Sequence, residues 1–244
     1  MHPLLFTGMT YPYFLMDSSY LIYVVPALLL ALLAQWNVKS TFGRYSSVQN
    51  SRGYSGADVA RRILDRNGLS DVAVERVAGN LSDHYDPRTR VVRLSQGVYD
   101  GRSVAAVGVA AHETGHAIQH SMGYGPLRLR NAIIPVTQFS SSISVWLILI
   151  GFFFSWAPLA LAGIILFSFA VLFELVTLPV EFNASSRALH ILDEDGILRQ
   201  NELAGARKVL RAAAMTYVAA TVVAFMQLVR LLALYGGRRD DRWR

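Results

Sequence analysis

Apolar positions gather into four long runs, and the chain between them has ordinary globular polarity. The runs are residues 20–34, "YLIYVVPALLLALLA", extended by Gln35 and Trp36; residues 143–154, with a polar-flecked lead-in from Ile133; residues 158–178; and residues 212–235, interrupted by Arg230. About 20 apolar residues cross a bilayer as a helix, so the pattern predicts about four transmembrane helices. The second and third runs are joined by "SWAP", residues 155–158, a joint short enough to make them a helical hairpin. Between the first two runs the period changes. "GADVARRILDRN" reads as an amphipathic helix with Ser55 as N-cap and Gly68 as the stop. "DVAVERV", residues 71–77, alternates as a strand does, and "RVVRLS", residues 90–95, is a second strand. "DPRT", residues 86–89, is a turn with Pro at its second position. An Ala-rich helix follows, "RSVAAVGVAAHETGHAIQHSMG", which Gly123 can end. There is no internal repeat and no low-complexity segment. Residues 1–18 form an aromatic-rich leader to which the sequence assigns no use.

Charge sharpens this division. Residues 39–130 hold 13 Lys/Arg and 8 Asp/Glu, whereas residues 131–178 hold one ionisable side chain, Glu174. The whole chain of 244 residues is only 16% charged, against about 25% in a typical soluble domain. Four buried core helices in a soluble protein would need more polar covering than this. The expected segments are 1–38, an N-terminal stretch with the first membrane helix; 39–130, a cytoplasmic catalytic unit; 131–178, a membrane hairpin; 179–211, a second cytoplasmic segment; and 212–244, a fourth membrane helix with a basic tail. The first 38 residues lack Lys and Arg, so the first run reads as a retained anchor rather than a signal peptide. Basic flanks at Lys39, Arg44, Arg128, Arg130, Arg187 and Arg207 put residues 39–130 and 179–211 on the cytoplasmic side of the cell membrane. A crossing fourth helix then leaves Arg238, Arg239, Arg242 and Arg244 outside, against that rule. The net charge of +6 is scattered and forms no stripe for nucleic acid. The absence of cysteine excludes disulfides and thiolate metal sites.

The chemistry lies in "AHETGHAIQH", residues 111–120. His112 and His116 are one helical turn apart on one face, so both imidazoles can reach one zinc ion. Glu113 is rotated away from them and can face an attacking water as general base. A third donor has to come from elsewhere. His120 continues the stripe, but it lies roughly 12 Å along the axis from His112, and Zn–N bonds are only about 2.0–2.1 Å. A straight helix cannot close both onto one ion, so His120 reads as an outer-layer or surface residue. Glu174 lies within a predicted membrane helix and reads equally as a ligand or a structural carboxyl. That leaves Glu181 in "LPVEFNASSRALHIL", which follows the hairpin back to the cytoplasmic face; Pro179 before it allows a kink or a helix start.

These residues carry a resemblance. "HETGH", a membrane hairpin and then "EFNAS" resemble the membrane-embedded gluzincin peptidases, among them the CAAX prenyl protease and heat-shock protease groups. "NSRGYSGADVARRIL", "LSDHYDPRTRVVRLS", "SVAAVGVAAHETGHAIQH" and "TLPVEFNASSRAL" are more closely similar to the YugP-like family of neutral zinc metallopeptidases, over roughly residues 20–235. The resemblance implies zinc held by His112, His116 and Glu181, with Glu113 catalytic. Ser185 departs from the wider E-x-x-x-D pattern, in which an Asp braces a ligand histidine. His120, Asn183 and Ser185 are the candidates for supporting the ligands.

The expectation is a mainly α-helical integral membrane protein of about four transmembrane helices with a small α+β zincin-like cytoplasmic unit. Its function is zinc-dependent hydrolysis of peptide bonds in a peptide or membrane-protein substrate. His84, Tyr85 and Arg187 are candidates for stabilising the oxyanion or holding substrate, and the strand edge near Val91 to Ser95 for pairing with an extended substrate. A zinc-stabilised scaffold without catalysis, or a zinc hydrolase of a non-peptide substrate, are the rival readings. The lipid bilayer is the expected partner, and self-association or a second membrane protein stays open.

Overall fold

A computed structural model describes residues 18–240, with side chains to residue 237. The aromatic leader up to residue 17, Arg242 and Arg244, and the side chains of Arg238 and Arg239 lie outside what is described. Seven α-helices are present among the described residues: α1 (Val25–Ser46), α2 (Gly56–Arg66), α3 (Gln96–Tyr99), α4 (Val104–Ser121), α5 (Gly125–Phe153), α6 (Ala157–Glu194) and α7 (Gln200–Asp240). A wider π-type turn, Tyr20–Val24, leads into α1. Three strands, β1 (Ala73–Val77), β2 (His84–Asp86) and β3 (Val91–Ser95), form one small sheet. The chain divides into two compact units. Among the described residues, one comprises residues 32–134 and 174–218, and the other residues 18–31, 135–173 and 219–240.

In the first unit, α2 shows how closely local sequence sets local structure. Val59, Ala60, Ile63 and Leu64 are fully buried because their spacing puts them on one helical face. The Ser55 side chain accepts from the Asp58 backbone N–H at 3.1 Å, and Asp58 Oδ2 accepts from the Ser55 N–H at 2.9 Å. These reciprocal bonds satisfy two N–H groups that the first turn would leave open. Hydrogen bonds from Ser55 hold the Asp58 carboxyl below its ordinary pKa. A lowered folded-state pKa stabilises the fold above the unfolded carboxylate pKa, and this is lost as pH falls through the lowered value. Ser55→Ala is therefore expected to cost about 1 kcal/mol at neutral pH and less in acid, as measured by thermal melts across pH.

The sheet order is β1-β3-β2, with β1 parallel and β2 antiparallel to β3. Both strands expected from alternation are present, each shorter at its start. β2 is an addition. Three residues are too few to display a period, and the sequence assigns no element to His84 and Tyr85. Its presence corrects one expectation: β3 is the central strand, paired on both edges, and cannot accept a substrate strand.

Ser103 caps α4 by accepting from Ala106 N–H at 3.1 Å, and Gly123 at φ 63° ends the segment in the left-handed conformation glycine tolerates. The small residues of α4 allow close approach. A Cβ on Gly115 would lie 2.8 Å from the Ala184 carbonyl oxygen of α6, so the glycine inside "HETGH" lets the two helices touch backbone to backbone. The third apolar run and the segment carrying Glu181 are one helix: α6 continues through Pro179, where the sequence had allowed a break.

In the second unit, α5 and α6 pack as a hairpin turned by residues 154–156. A Cβ on Gly151 would meet the Ala160 backbone, and one on Gly163 would lie 2.7 Å from Ile148. Ile148, Phe152, Ala160, Ile164 and Leu231 form the buried cluster here. Four helical stretches, Tyr20–Ser46, Gly125–Phe153, Ala157–Glu194 and Gln200–Gly237, are long and apolar enough to cross a membrane. Large apolar side chains along them are exposed, among them Leu32, Leu33 and Trp36 on α1, Trp146 on α5, Ile165 on α6 and Phe225 on α7.

Candidate metal centre

His112 and His116 stand on successive turns of α4 with their rings edge to face, centroids 4.7 Å apart. Glu181 of α6 meets them: its Oε2 lies 3.3 Å from His112 Nε2 and 3.6 Å from His116 Nε2. The three donor atoms all fall within 4.8 Å of one another. The far side of each imidazole is engaged. His116 Nδ1 is 2.9 Å from the Gln119 side-chain carbonyl oxygen, which can only accept, so Nδ1 carries the hydrogen and Nε2 presents a lone pair. His112 Nδ1 is 3.1 Å from Ser185 Oγ.

This donor set fits a zinc ion. Ligand bonds of about 2.0–2.2 Å in tetrahedral array separate donor atoms by roughly 3.3–3.6 Å, which matches both histidine–glutamate distances. Glu181 is 3% exposed, and its Oε2 is buried without a hydrogen-bond partner. A carboxylate oxygen in that position needs a cation. The electrostatics agree. Burial pulls the His116 pKa down, but the neighbouring carboxylates of Glu181 and Glu113 reverse this, and the net shift is upward. The site favours positive charge at His116 Nε2, as a proton or as a metal.

Gln119 ties the two helices together beside the donors. It is fully buried, and its amide nitrogen donates to the Val180 carbonyl at 2.8 Å and to Asn183 Oδ1 at 3.0 Å. Asn183 Oδ1 also accepts from Arg187 Nε at 2.8 Å. Asn183 thus supports the His116 side of the site through Gln119, and Ser185 contacts the His112 side directly. The serine occupies the place of the Asp in the wider pattern and reaches His112, one of the three converging donors.

A cavity of about 150 Å³ opens on the donors. Glu113, 8% exposed, lines it together with His112, His116 and Glu181, and so do His84 and Tyr85 of β2. His84 is exposed, with Nδ1 2.8 Å from the Ser82 carbonyl oxygen. The Tyr85 hydroxyl lies 2.8 Å from His120 Nδ1, and burial pushes its pKa up. His120 is therefore engaged with β2 and stands outside the donor group, as does Glu174. Arg187 is absent from the cavity wall. It binds Asn183 and lies 3.4 Å from the Met122 sulfur.

Two residues that the sequence reading did not single out for the site do line the cavity: Arg130 of α5 and Tyr217 of α7. Arg130 had been read as a basic flank and Tyr217 as part of a membrane run. Tyr217 shares the cavity lining with Glu181, and Arg130 Nη1 is 3.7 Å from Glu181 Oε1. No local pattern marks either, because both reach the site through tertiary packing. Gln119 did leave a signal, three residues after His116 on the same helix face.

Comparison with known proteins agrees with this centre. The family described as "Putative neutral zinc metallopeptidase" matches residues 20–236. The "Putative membrane protease YugP" of Bacillus subtilis (strain 168) is 54% identical over 217 residues, which cover 89% of this chain and 96% of that protein. No solved structure matches. Zinc is the cofactor this family implies, and His112, His116 and Glu181 are residues that can hold it. By sequence the chain belongs to the neutral zinc metallopeptidase family of YugP.

Proposed function

We propose that the protein is a membrane-embedded zinc metallopeptidase of the gluzincin type, with His112, His116 and Glu181 as metal ligands and Glu113 as general base. One observation carries this reading: the three donors converge around the unpartnered Glu181 Oε2, and Glu113 lines the cavity in front of them. A bound zinc ion supplies Lewis acidity, lowering the pKa of water toward about 7 and polarising a peptide carbonyl. Glu113 takes a proton from the attacking water and delivers it to the departing amine as the C–N bond breaks. Gln119 and Ser185 hold the imidazoles in orientation, so that neither ring has to reorganise during turnover. The outer edge of β2, beside the cavity, is the place for an extended peptide to pair. Cleavage of casein and of a panel of membrane proteins by the purified full-length chain tests the proposal. Chelator-sensitive cleavage restored by zinc supports it. Stoichiometric zinc with no cleavage of any of these proteins would leave a zinc-stabilised scaffold or a zinc hydrolase of a non-peptide substrate instead.

The exposed apolar side chains of the four long helices support bilayer insertion, since a surface of this kind in water drives association. The basic flanks support a cytoplasmic site. The chain has no cysteine, so single-cysteine variants report cleanly. Ser70→Cys and Ser186→Cys, both at exposed positions, are expected to react with a membrane-impermeant maleimide only after the cytoplasmic face is opened. Labelling of both in intact cells reverses the orientation, and labelling of one alone breaks the ligand assignment.

A further inference from the structure

We infer that Arg130 is a catalytic residue, donating hydrogen bonds to the scissile carbonyl oxygen as that oxygen gains negative charge; this rests on the peptidase reading above. Three observations converge on it. The side chain lines the same cavity as the metal donors and is 27% exposed. Its nearest charge, Glu181 Oε1, is 3.7 Å from Nη1, an ion-pair distance too long for a hydrogen bond. Among the described residues the guanidinium makes no hydrogen bond at all, and its Nε is buried without a partner.

A guanidinium carries five N–H donors in a rigid plane. A counter-ion placed only to orient Glu181 would be expected to spend at least one of them on that carboxylate. Here the Arg130 Nη1–Glu181 Oε1 separation is 3.7 Å, and the Arg130 donors remain uncommitted beside the cavity. A fixed cation with unspent donors next to the place where an oxyanion develops stabilises the transition state more than the ground state. Arg187, the arginine that the sequence offered for this role, has its Nε on Asn183 and lies off the cavity wall.

The test uses full-length zinc-loaded protein as wild type, Arg130→Gln and Arg130→Lys. Zinc content, peptidase kcat and KM are measured, together with the affinity for two probes. One is a phosphinic dipeptide, whose tetrahedral anion mimics the transition state; the other is the reduced-amide dipeptide of the same side chains, which has no oxygen there. Arg130→Gln is expected to keep its zinc and to lose phosphinate affinity and kcat together by about 10²–10³-fold. Reduced-amide affinity stays unchanged, and Arg130→Lys recovers part of the loss. Zinc loss from Arg130→Gln, or equal weakening of both probes, reduces Arg130 to a residue that positions Glu181. Cleavage by the wild type with undiminished phosphinate affinity in Arg130→Gln overturns this role alone. Absence of cleavage by the wild type overturns the peptidase reading and this role with it.

Discussion

Glu113→Gln is expected to leave the zinc content at wild-type level and to lower kcat by roughly 10²–10⁴-fold, the range a positioned general base contributes. The substitution is nearly isosteric and replaces an acceptor of protons with an amide that cannot take one. Glu113 is largely buried on the cavity wall and is not among the three converging donors, so its loss leaves the metal-binding atoms in place. The folded state should tolerate the change, because an amide is cheaper to bury than a carboxylate. Elemental analysis and a peptidase assay on the same preparation decide the matter. Loss of zinc together with activity would make Glu113 a ligand, and retention of full activity would remove it from the mechanism.

Glu181→Ala is expected to lose zinc altogether under conditions in which His120→Ala keeps it. Residues that only orient a ligand typically cost 10–100-fold in metal affinity; removing one of three donors should cost more. The contrast with His120 is the informative part. His120 Nδ1 is bound to the Tyr85 hydroxyl, so His120→Ala should loosen β2 and retain at least part of the activity. Equilibrium dialysis against buffered zinc, with thermal melts to confirm folding, reads both variants. Retention by Glu181→Ala with loss by His120→Ala would mean that α4 breaks after His116.

The sequence was legible wherever a period or a cap was local. The four apolar runs became the four long helices, and Ser55 formed the capping pair its position suggested. The HExxH helix carried its spacing intact, because residues four apart share a face whatever surrounds them. His120 was set aside on helix length alone; Glu181 was reached through the hairpin that returns the chain and through the family resemblance, while Glu174 stayed open until the three donors were seen together. Legibility failed where contacts are long-range. β2 is three residues whose strand character comes from pairing with β3. Arg130 and Tyr217 came to the cavity from helices whose sequences look like membrane flank and membrane span. The Gly115 contact with Ala184 could not be foreseen either, since a glycine in an Ala-rich helix says only that something comes close.

Glu181 lies 65 residues after His116, beyond the whole α5–α6 hairpin. A ribosome adding about 5–20 residues per second therefore needs roughly 3–13 s to supply the third donor after the second has been made. Throughout that interval the nascent chain offers zinc two imidazoles and no carboxylate from α6. The centre closes only once the hairpin has been translated and its second helix has come to rest on Gly115. On the peptidase reading, a growing chain therefore carries only two of the three donors until α6 has been made.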